Sequence, residues 1–329
     1  MKRTSNAVRL RRRTALLAGV GVLAAPMVAR SQLRWKPDRP ITVYNPLAVG
    51  GVCDVHLRFL GERVAAKLGQ PVLVEARGGA GATLAAAQMI NVKPDGHTLA
   101  CMTINSLRYP HYQQTAWNPL KDFAYIIGLS EFTFGIVCKS TSPWRSIEDL
   151  VADGKKNPDK LNFGTSGIGG TGHLLMIEVE QSTGAAFTHV PFKGGPEWMQ
   201  AMLGGHIQFV ADGAQWAPFV ETGEVRVLAM ATPTRFPKYP DVPNLLERKI
   251  DAVAVSPYGL VGPAALPPVV VETLHDVYKE AMADPGHQKL LDQYIQVPWY
   301  RGPAEYRAFA EKYFVEVKPM LVKSGLAKA

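Results

Sequence analysis

The sequence predicts an α/β protein on three observations. Stretches with the composition of buried strands alternate with stretches that have helical spacing. A glycine-rich loop separates strand from helix at residues 49–51, 79–81 and 166–172. The chain has 329 residues, 47% of them hydrophobic, which is enough for two domains of ordinary size. Because parallel strands need helical crossovers, this alternation favours mostly parallel sheets.

The first half of the chain shows the alternation most clearly. Residues 39–44 (RPITVY) have the composition of a short buried strand, and residues 54–68 place apolar side chains at helical spacing up to Gly69. The next predicted strand is at 72–75. A helix at 83–92 and a strand at 97–104 complete this half.

The second half repeats the pattern. Strands are predicted at 134–138, 161–164, 188–192, 207–211 and 225–231. Helices are predicted from Ser146 onward and at 173–182, 198–203, 269–285 and 303–325. Residues 257–268 are rich in proline and glycine and have the composition of a crossover connection.

The positive charge is concentrated at the start of the chain. Residues 1–31 hold seven basic residues and no acidic one, so seven of the net +8 charges lie there and +1 remains on residues 32–329. A nucleic-acid-binding protein would carry a basic face on its folded body. We therefore expect no nucleic-acid partner.

Residues 1–31 have the pattern of an export signal. A basic stretch ends at Arg13, an apolar run follows at 15–25, and the small residues Ala29 and Ser31 come next. The run is too short to span a bilayer, which takes about 20 residues. We expect a cleaved signal peptide and a periplasmic mature protein, and the consecutive arginines also allow the twin-arginine route.

The three glycine loops have the features of anion sites. A helix N-terminus presents unpaired N–H groups and the positive end of the helix dipole, and glycine lets a ligand come close to them. Such loops meet at the carboxyl ends of the strands. A single loop of this kind is more often a simple turn, but three of them favour the binding of an anion such as a carboxylate.

Several other functions lack their motifs. A dinucleotide fingerprint at 79–81 would need Gly or Ala where Leu84 stands. A hydrolase could use Ser166 with His173 or His189 as base, but Ser166 lacks the GxSxG pattern. No histidine pair has metal-ligand spacing, so we expect no metal, no cofactor and no enzyme.

Two further expectations concern the first glycine loop and the cysteines. We expect Asp54 to be the N-cap of the first helix. Cys53, Cys101 and Cys138 form no CxxC motif and no disulfide framework. One disulfide is compatible with an oxidising compartment, although we expect buried free thiols.

Longer motifs along residues 36–325 identify a resemblance to one family. They are 44–54 (YNPLAVGGVCD), 68–72 (LGQPV), 75–81 (EARGGAG), 94–99 (PDGHTL), 164–174 (GTSGIGGTGHL), 189–194 (HVPFKG), 203–205 (LGG), 223–229 (GEVRVLA), 240–243 (PDVP) and 259–263 (GLVGP). With these motifs the chain resembles the Bug-type periplasmic solute-binding proteins of the tripartite tricarboxylate transporter family.

The resemblance implies a two-lobed periplasmic binding protein fold of type II. Each lobe is expected to be a mostly parallel sheet flanked by helices, with the ligand cleft between lobes. Lobe 1 would comprise residues 32–135 and 256–329, and lobe 2 residues 136–255. The implied function is to bind a small carboxylate and deliver it to the permease subunits of a membrane transporter. We expect a monomer; the alternatives are a sensor that presents the ligand to a signalling partner, or an exported hydrolase.

The resemblance also implies a set of ligand-binding residues, with recognition through backbone N–H groups and hydroxyls rather than an arginine clamp. The set is Gly50, Gly51, Ser106, Thr165, Ser166, Gly169, Gly170, Thr171, Lys193, Gly194 and Asp212. The chain departs from the family at Ala48 and Val49, where two prolines are common, and at Cys53. These departures lie in the first glycine loop and bear on which ligand is bound.

Overall fold

Two β-sheets, each flanked by helices, make up the part of the chain that the structure describes. The structure is a computed structural model that describes residues 35–328, and the predicted signal peptide at 1–31 lies outside these residues. Within the described range, none of the helices combines the length and apolar character needed to cross a bilayer.

The sequence predicts most of the strands and helices, but not the strands at residues 123–131, 257–263 and 297–301. The strands are β1 (Ile41–Asn45), β2 (Val72–Ala76), β3 (Thr98–Thr103), β4 (Phe123–Glu131), β5 (Phe134–Lys139), β6 (Asn162–Thr165), β7 (Thr188–Pro191), β8 (Phe209–Gly213), β9 (Val225–Met230), β10 (Pro257–Pro263) and β11 (Val297–Arg301). The helices are α1 (Val52–Leu68), α2 (Leu84–Ala87), α3 (Asn105–Arg108), α4 (Ile147–Lys156), α5 (Thr171–Thr183), α6 (Gly195–Leu203), α7 (Ala217–Glu221), α8 (Pro268–Met282), α9 (Pro285–Gln293) and α10 (Pro303–Lys323).

The strand order separates the chain into two sheets. The first sheet has the order β11-β4-β10-β3-β1-β2, and the second has the order β7-β6-β8-β5-β9. Strand β4 runs almost directly into β5, and β10 brings the chain back into the first sheet. The α/β class and the architecture of two helix-flanked sheets are therefore confirmed.

Both sheets are mixed rather than mostly parallel, which corrects the sequence prediction. Strands β1, β2 and β3 pair in parallel, as do β6, β7 and β8. The strands next to the crossings between the sheets, β4, β5, β9 and β10, pair antiparallel. The parallel parts are those built from strand–loop–helix units, whereas the crossing strands have no helical crossover to set their direction.

The proline- and glycine-rich segment predicted as a connection contains a central strand. Strand β10 is buried along its whole length and lies between β3 and β4. Its prolines stand at its two ends, where a missing N–H disturbs the ladder least. Gly259 lies close to its neighbours, since a Cβ there would overlap the carbonyl oxygen of Ile127 and the ring of Tyr306.

Each sheet has its own apolar core. On the first sheet, buried aromatic and apolar side chains from β3, β4, β11 and α10 pack together, and they include Met102, Tyr125, Trp299 and Tyr306. The second sheet has one cluster on each face, around Phe163 and Phe209 and around Trp198 and Trp216. These cores hold the strand ends, and the loops that follow them, in fixed positions.

Candidate functional site

A cavity of about 60 Å³, partly open to solvent, lies where the loops of the two sheets meet. It adjoins the carboxyl ends of β3, β6 and β8, the location at which α/β sheets bind ligands. The lining residues are Leu47, Gly51, Val52, Cys53, Ala82, Thr103, Asn105, Phe132, Phe134, Ser166, Gly170, Thr171, Gly172, Gly195, Trp198, Asp212, Gly213, Gln215 and Ser256.

N-termini of helices that follow strands of both sheets line this cavity. Helix α1 contributes its first residues, Val52 and Cys53, and helix α5 contributes Thr171 and Gly172. The residues preceding these helices are glycines, and at neither end does a side chain among the described residues accept a hydrogen bond as a cap. The first-turn N–H groups of both helices are therefore available to an anion, and both helix dipoles favour negative charge there.

The rest of the lining is apolar or neutral, apart from one carboxyl group. Leu47, Phe132, Phe134 and Trp198 supply apolar surface. Neutral hydrogen-bonding side chains come from Thr103, Asn105, Gln215 and Ser256. Among the described residues that line the cavity there is no lysine or arginine. An anion in this cavity would be stabilised by backbone and helix dipoles rather than by a cationic side chain.

Asp212 supplies the one carboxyl group among the described lining residues, and its surroundings change its pKa. Its side chain accepts hydrogen bonds from the backbone N–H groups of Ser166 and Gly213. Burial nevertheless raises the pKa of Asp212 from 3.8 to about 6, while the two N–H donors act in the opposite direction. This carboxyl group exchanges its proton near neutral pH.

We expect Asp212 to make the folded state less stable as the pH rises from 4 to 7. The folded state binds the proton more tightly than the unfolded state, so the stabilisation is complete below the unfolded pKa and is lost as the pH rises through the folded pKa. A pKa raised from 3.8 to about 6 corresponds to about 3 kcal/mol of unfolding free energy. Urea unfolding across this pH range should show that the unfolding free energy of the native protein falls by about 3 kcal/mol relative to that of Asp212→Asn.

The control for this measurement is Asp241→Asn, at an exposed position. It should follow the native pH profile. Parallel profiles for the native protein and Asp212→Asn would show that Asp212 does not titrate in this range.

The structure brings five of the eleven predicted ligand-binding residues to the cavity: Gly51, Ser166, Gly170, Thr171 and Asp212. Gly50, Ser106, Thr165, Gly169, Lys193 and Gly194 are not in its lining. Several have partners elsewhere. The Gly50 N–H donates to Asp54, the Gly169 N–H to His173, and the Thr165 hydroxyl to the Gly167 carbonyl.

Ser106 and Lys193 lie in different environments. Ser106 is fully buried in α3, and its hydroxyl has no hydrogen-bond partner among the described residues. Lys193 is exposed, and its backbone N–H donates to Glu197. Asp54 is not the N-cap of α1, because Gly51 holds that position. It lies in the first turn of α1, where its carboxylate accepts a hydrogen bond from the Gly50 N–H and forms an ion pair with Arg58.

Gly194 lets the loop that precedes α6 approach the first glycine loop. A Cβ on Gly194 would lie 3.1 Å from both the Cβ and the backbone nitrogen of Ala48. Ala48 is one of the positions where the chain departs from the family pattern. Loops from the two sheets thus contact each other through a small residue and a glycine, which are adjacent in the chain to Leu47 and Gly195 of the cavity lining.

Ser166, His173 and His189, the residues that a hydrolase would use, are not arranged as a nucleophile and its base. The Ser166 hydroxyl accepts a hydrogen bond from the Trp198 indole at 3.2 Å. His173 and His189 stack on each other with ring centroids 4.1 Å apart, and neither is in the cavity lining. Burial lowers the pKa of His189 to about 3, with the neighbouring His173 adding to the effect.

Residues 35–328 contain no cluster of side chains that could bind a metal ion. Nowhere in that range do three or more His, Cys, Asp or Glu side chains group in a way that could hold an ion.

A buried arginine connects the cavity wall to both sheets. Arg108, at the end of α3, donates to the Thr171 hydroxyl at 2.8 Å and to the Val255 carbonyl at 3.0 Å. It also donates to the Tyr313 hydroxyl of α10 at 2.8 Å. Thr171 lines the cavity, so this contact links the start of α5 to the first sheet and to the segment that leads back into it.

Comparison with known proteins decides the family. The model of the tripartite tricarboxylate transporter family receptor, TctC, matches residues 56–326. The chain belongs to this family of receptors. A UPF0065 protein from the gbd 5' region of Cupriavidus necator is 39% identical over 315 residues, which is 96% of each chain. BugT of Bordetella pertussis is 27% identical over 309 residues, covering 90% of this receptor and 93% of BugT.

Solved structures share the fold of the receptor. The periplasmic binding protein BugD superposes with a TM-score of 0.84 at 26% identity, over 89% of this chain and all of BugD (100%). MatC from Rhodopseudomonas palustris with bound malate superposes with a TM-score of 0.81 at 25% identity, over 87% of this chain and 99% of MatC. The receptor therefore has the fold of the periplasmic binding proteins, as the resemblance implied.

Proposed function

We propose that this receptor binds a small carboxylate in the cavity between its two sheets and delivers it to the permease subunits of a tripartite tricarboxylate transporter. The observation that carries the proposal is the convergence of two uncapped helix N-termini on one cavity, α1 from the first sheet and α5 from the second. A carboxylate matches N–H donors and the positive dipole end at both helices.

The carboxylate would be held mainly by backbone N–H groups. The first-turn groups of Val52 and Cys53 on one side, and of Thr171 and Gly172 on the other, have no intrahelical acceptor at their positions. Of the predicted set, Gly51, Ser166, Gly170, Thr171 and Asp212 line the same cavity and would contact the ligand. The malate bound to MatC supports a carboxylate ligand.

The remaining parts of the proposal follow from the family and the topology. Residues 1–31 would direct export and be removed, so that the mature protein acts in the periplasm as a monomer. Residues 32–135 with 256–329, and residues 136–255, would form the two lobes that close on the ligand. The ligand would leave unchanged, because no nucleophile–base pair among residues 35–328 lines the cavity.

A thermal-shift screen of residues 32–329 against small mono- and dicarboxylates tests this function. A ligand at a hundredfold excess over its Kd stabilises the folded state by about 2.7 kcal/mol. That free energy corresponds to a rise in Tm of about 5 °C. We expect such a rise with one chemical class of carboxylate, and recovery of the compound unchanged.

The matched control for each compound is its amide, at the same ionic strength. The amide keeps the size and shape of the compound but removes the negative charge that the helix N-termini favour, so it should give no shift. Equal shifts with acid and amide, or consumption of the compound, would contradict the proposed function.

A further inference from the structure

Two of the three cysteines lie in contact beneath the cavity. Cys53 is in the first turn of α1 and Cys101 is in β3, and their sulfur atoms are 3.6 Å apart. Both side chains are fully buried, whereas Cys138 lies in β5 of the second sheet. The three thiols are free in this structure.

We propose that Cys53 and Cys101 form a disulfide bond when the exported chain folds in an oxidising compartment. The oxidant is a disulfide-bonded species, either a protein or a small molecule, in exchange with the chain. One cysteine thiolate attacks that disulfide, forming a mixed disulfide and releasing one thiol. The second thiolate attacks the mixed disulfide, releasing the second thiol and leaving the Cys53–Cys101 bond. The two electrons and two protons lost by the pair reside on the two thiols released from the oxidant.

The bond forms before α1 packs on the sheet. In the folded protein the contact with the Cys101 thiol, together with burial, raises the pKa of Cys53 well above its ordinary value. The thiolate is the nucleophile in exchange, so the folded pair reacts slowly and is shielded from oxidants. A chain that enters the oxidising compartment unfolded exposes both thiols.

The cross-link would strengthen the part of the fold that carries the anion site. Cys53 lines the cavity, and its N–H is one of the first-turn donors of α1. Cys101 lies in β3, which pairs with both β1 and β10 inside the sheet. The bond would join residues 48 positions apart in the chain and tie the start of α1 to a central strand.

Refolding of the full chain in a redox buffer tests the proposal without reference to any ligand. The chain is reduced in denaturant and diluted into a mixture of reduced and oxidised glutathione. The exchange is quenched with acid, and the chain is denatured and its free thiols are alkylated. The mass of the intact chain and of its peptides is then measured. We expect a single alkyl group, on Cys138, and a peptide that contains the Cys53–Cys101 cross-link. Three alkyl groups, glutathione adducts without a cross-link, or a cross-link to Cys138 would overturn the proposal.

Variants and a stability measurement complete the test. Cys138→Ala should still form the cross-link, whereas Cys53→Ala and Cys101→Ala should form none. The oxidised native protein should melt about 5 °C or more above the reduced protein. The same comparison in Cys101→Ala should give no difference, and equal Tm values for oxidised and reduced native protein would overturn the stabilising role of the bond.

Discussion

Gly172→Ala is expected to abolish ligand binding and to lower the unfolding free energy by about 3 kcal/mol. Gly172 lies in the first turn of α5, and a Cβ there would overlap the backbone carbonyl oxygen of Ala211 in β8. The added Cβ and the Ala211 carbonyl are both fixed to the backbone, so no change of side-chain rotamer can relieve the clash. Helix α5 must move away from β8, and its N–H groups then no longer face the cavity. Urea unfolding and calorimetric titration with the carboxylate found in the screen measure the two effects.

The predicted loss of stability has the opposite sign from the usual effect of this substitution. Replacing a helical glycine with alanine ordinarily stabilises a protein by about 1 kcal/mol. The control is Gly302→Ala, the residue that precedes α10, where the nearest heavy atom to an added Cβ is 3.9 Å away. That variant should bind the ligand with native affinity. A Gly172→Ala protein that is more stable than the native one and binds normally would rule out the close approach of α5 to β8.

The sequence predicted the glycine loops because their signal is local. A strand, a glycine-rich turn and an apolar helical stripe stand next to one another in the chain, and each of the three predicted loops reappears between a strand and a helix. The prediction of Gly50 and Gly169 as ligand donors depended on which N–H groups in a loop are free. In the folded protein these two N–H groups are not free, because the side chains of Asp54 and His173 accept hydrogen bonds from them. The N–H groups of Gly51 and Gly170 also have acceptors, the backbone carbonyls of Ala48 and Gly167. The composition of a loop does not show which of its N–H groups are already bonded.

Other parts of the cavity have no local signal at all. Asn105, Trp198, Gln215 and Ser256 reach it from separate elements of both sheets, so their proximity depends on strand order rather than on any motif. Strand β10 was missed for a related reason. Its prolines and glycines argue against a strand by propensity, but its place between β3 and β4 buries it completely, and tertiary packing overrides propensity.

Arg108→Met is expected to lower the unfolding free energy by about 3 kcal/mol and to weaken ligand binding about tenfold. Methionine fills much of the same space but donates no hydrogen bond. The Thr171 hydroxyl would remain buried without this donor, and the Val255 carbonyl and Tyr313 hydroxyl would lose theirs. Each buried acceptor left unpaired costs about 1–3 kcal/mol. The start of α5 would also lose its direct tie to α3.

Substitution of a surface arginine serves as the control for the loss of a positive charge. Arg248 is exposed and contacts Glu148 at 3.5 Å, so Arg248→Met should change the unfolding free energy by less than about 0.5 kcal/mol. Arg108→Lys keeps the charge but cannot donate to three acceptors in the same directions, and it should fall between the native protein and Arg108→Met. Native stability and affinity in Arg108→Met would mean that the contact between Arg108 and Thr171 does not hold the two sheets around the cavity. If instead affinity falls with stability unchanged, Arg108 acts on the position of α5 rather than on the fold as a whole.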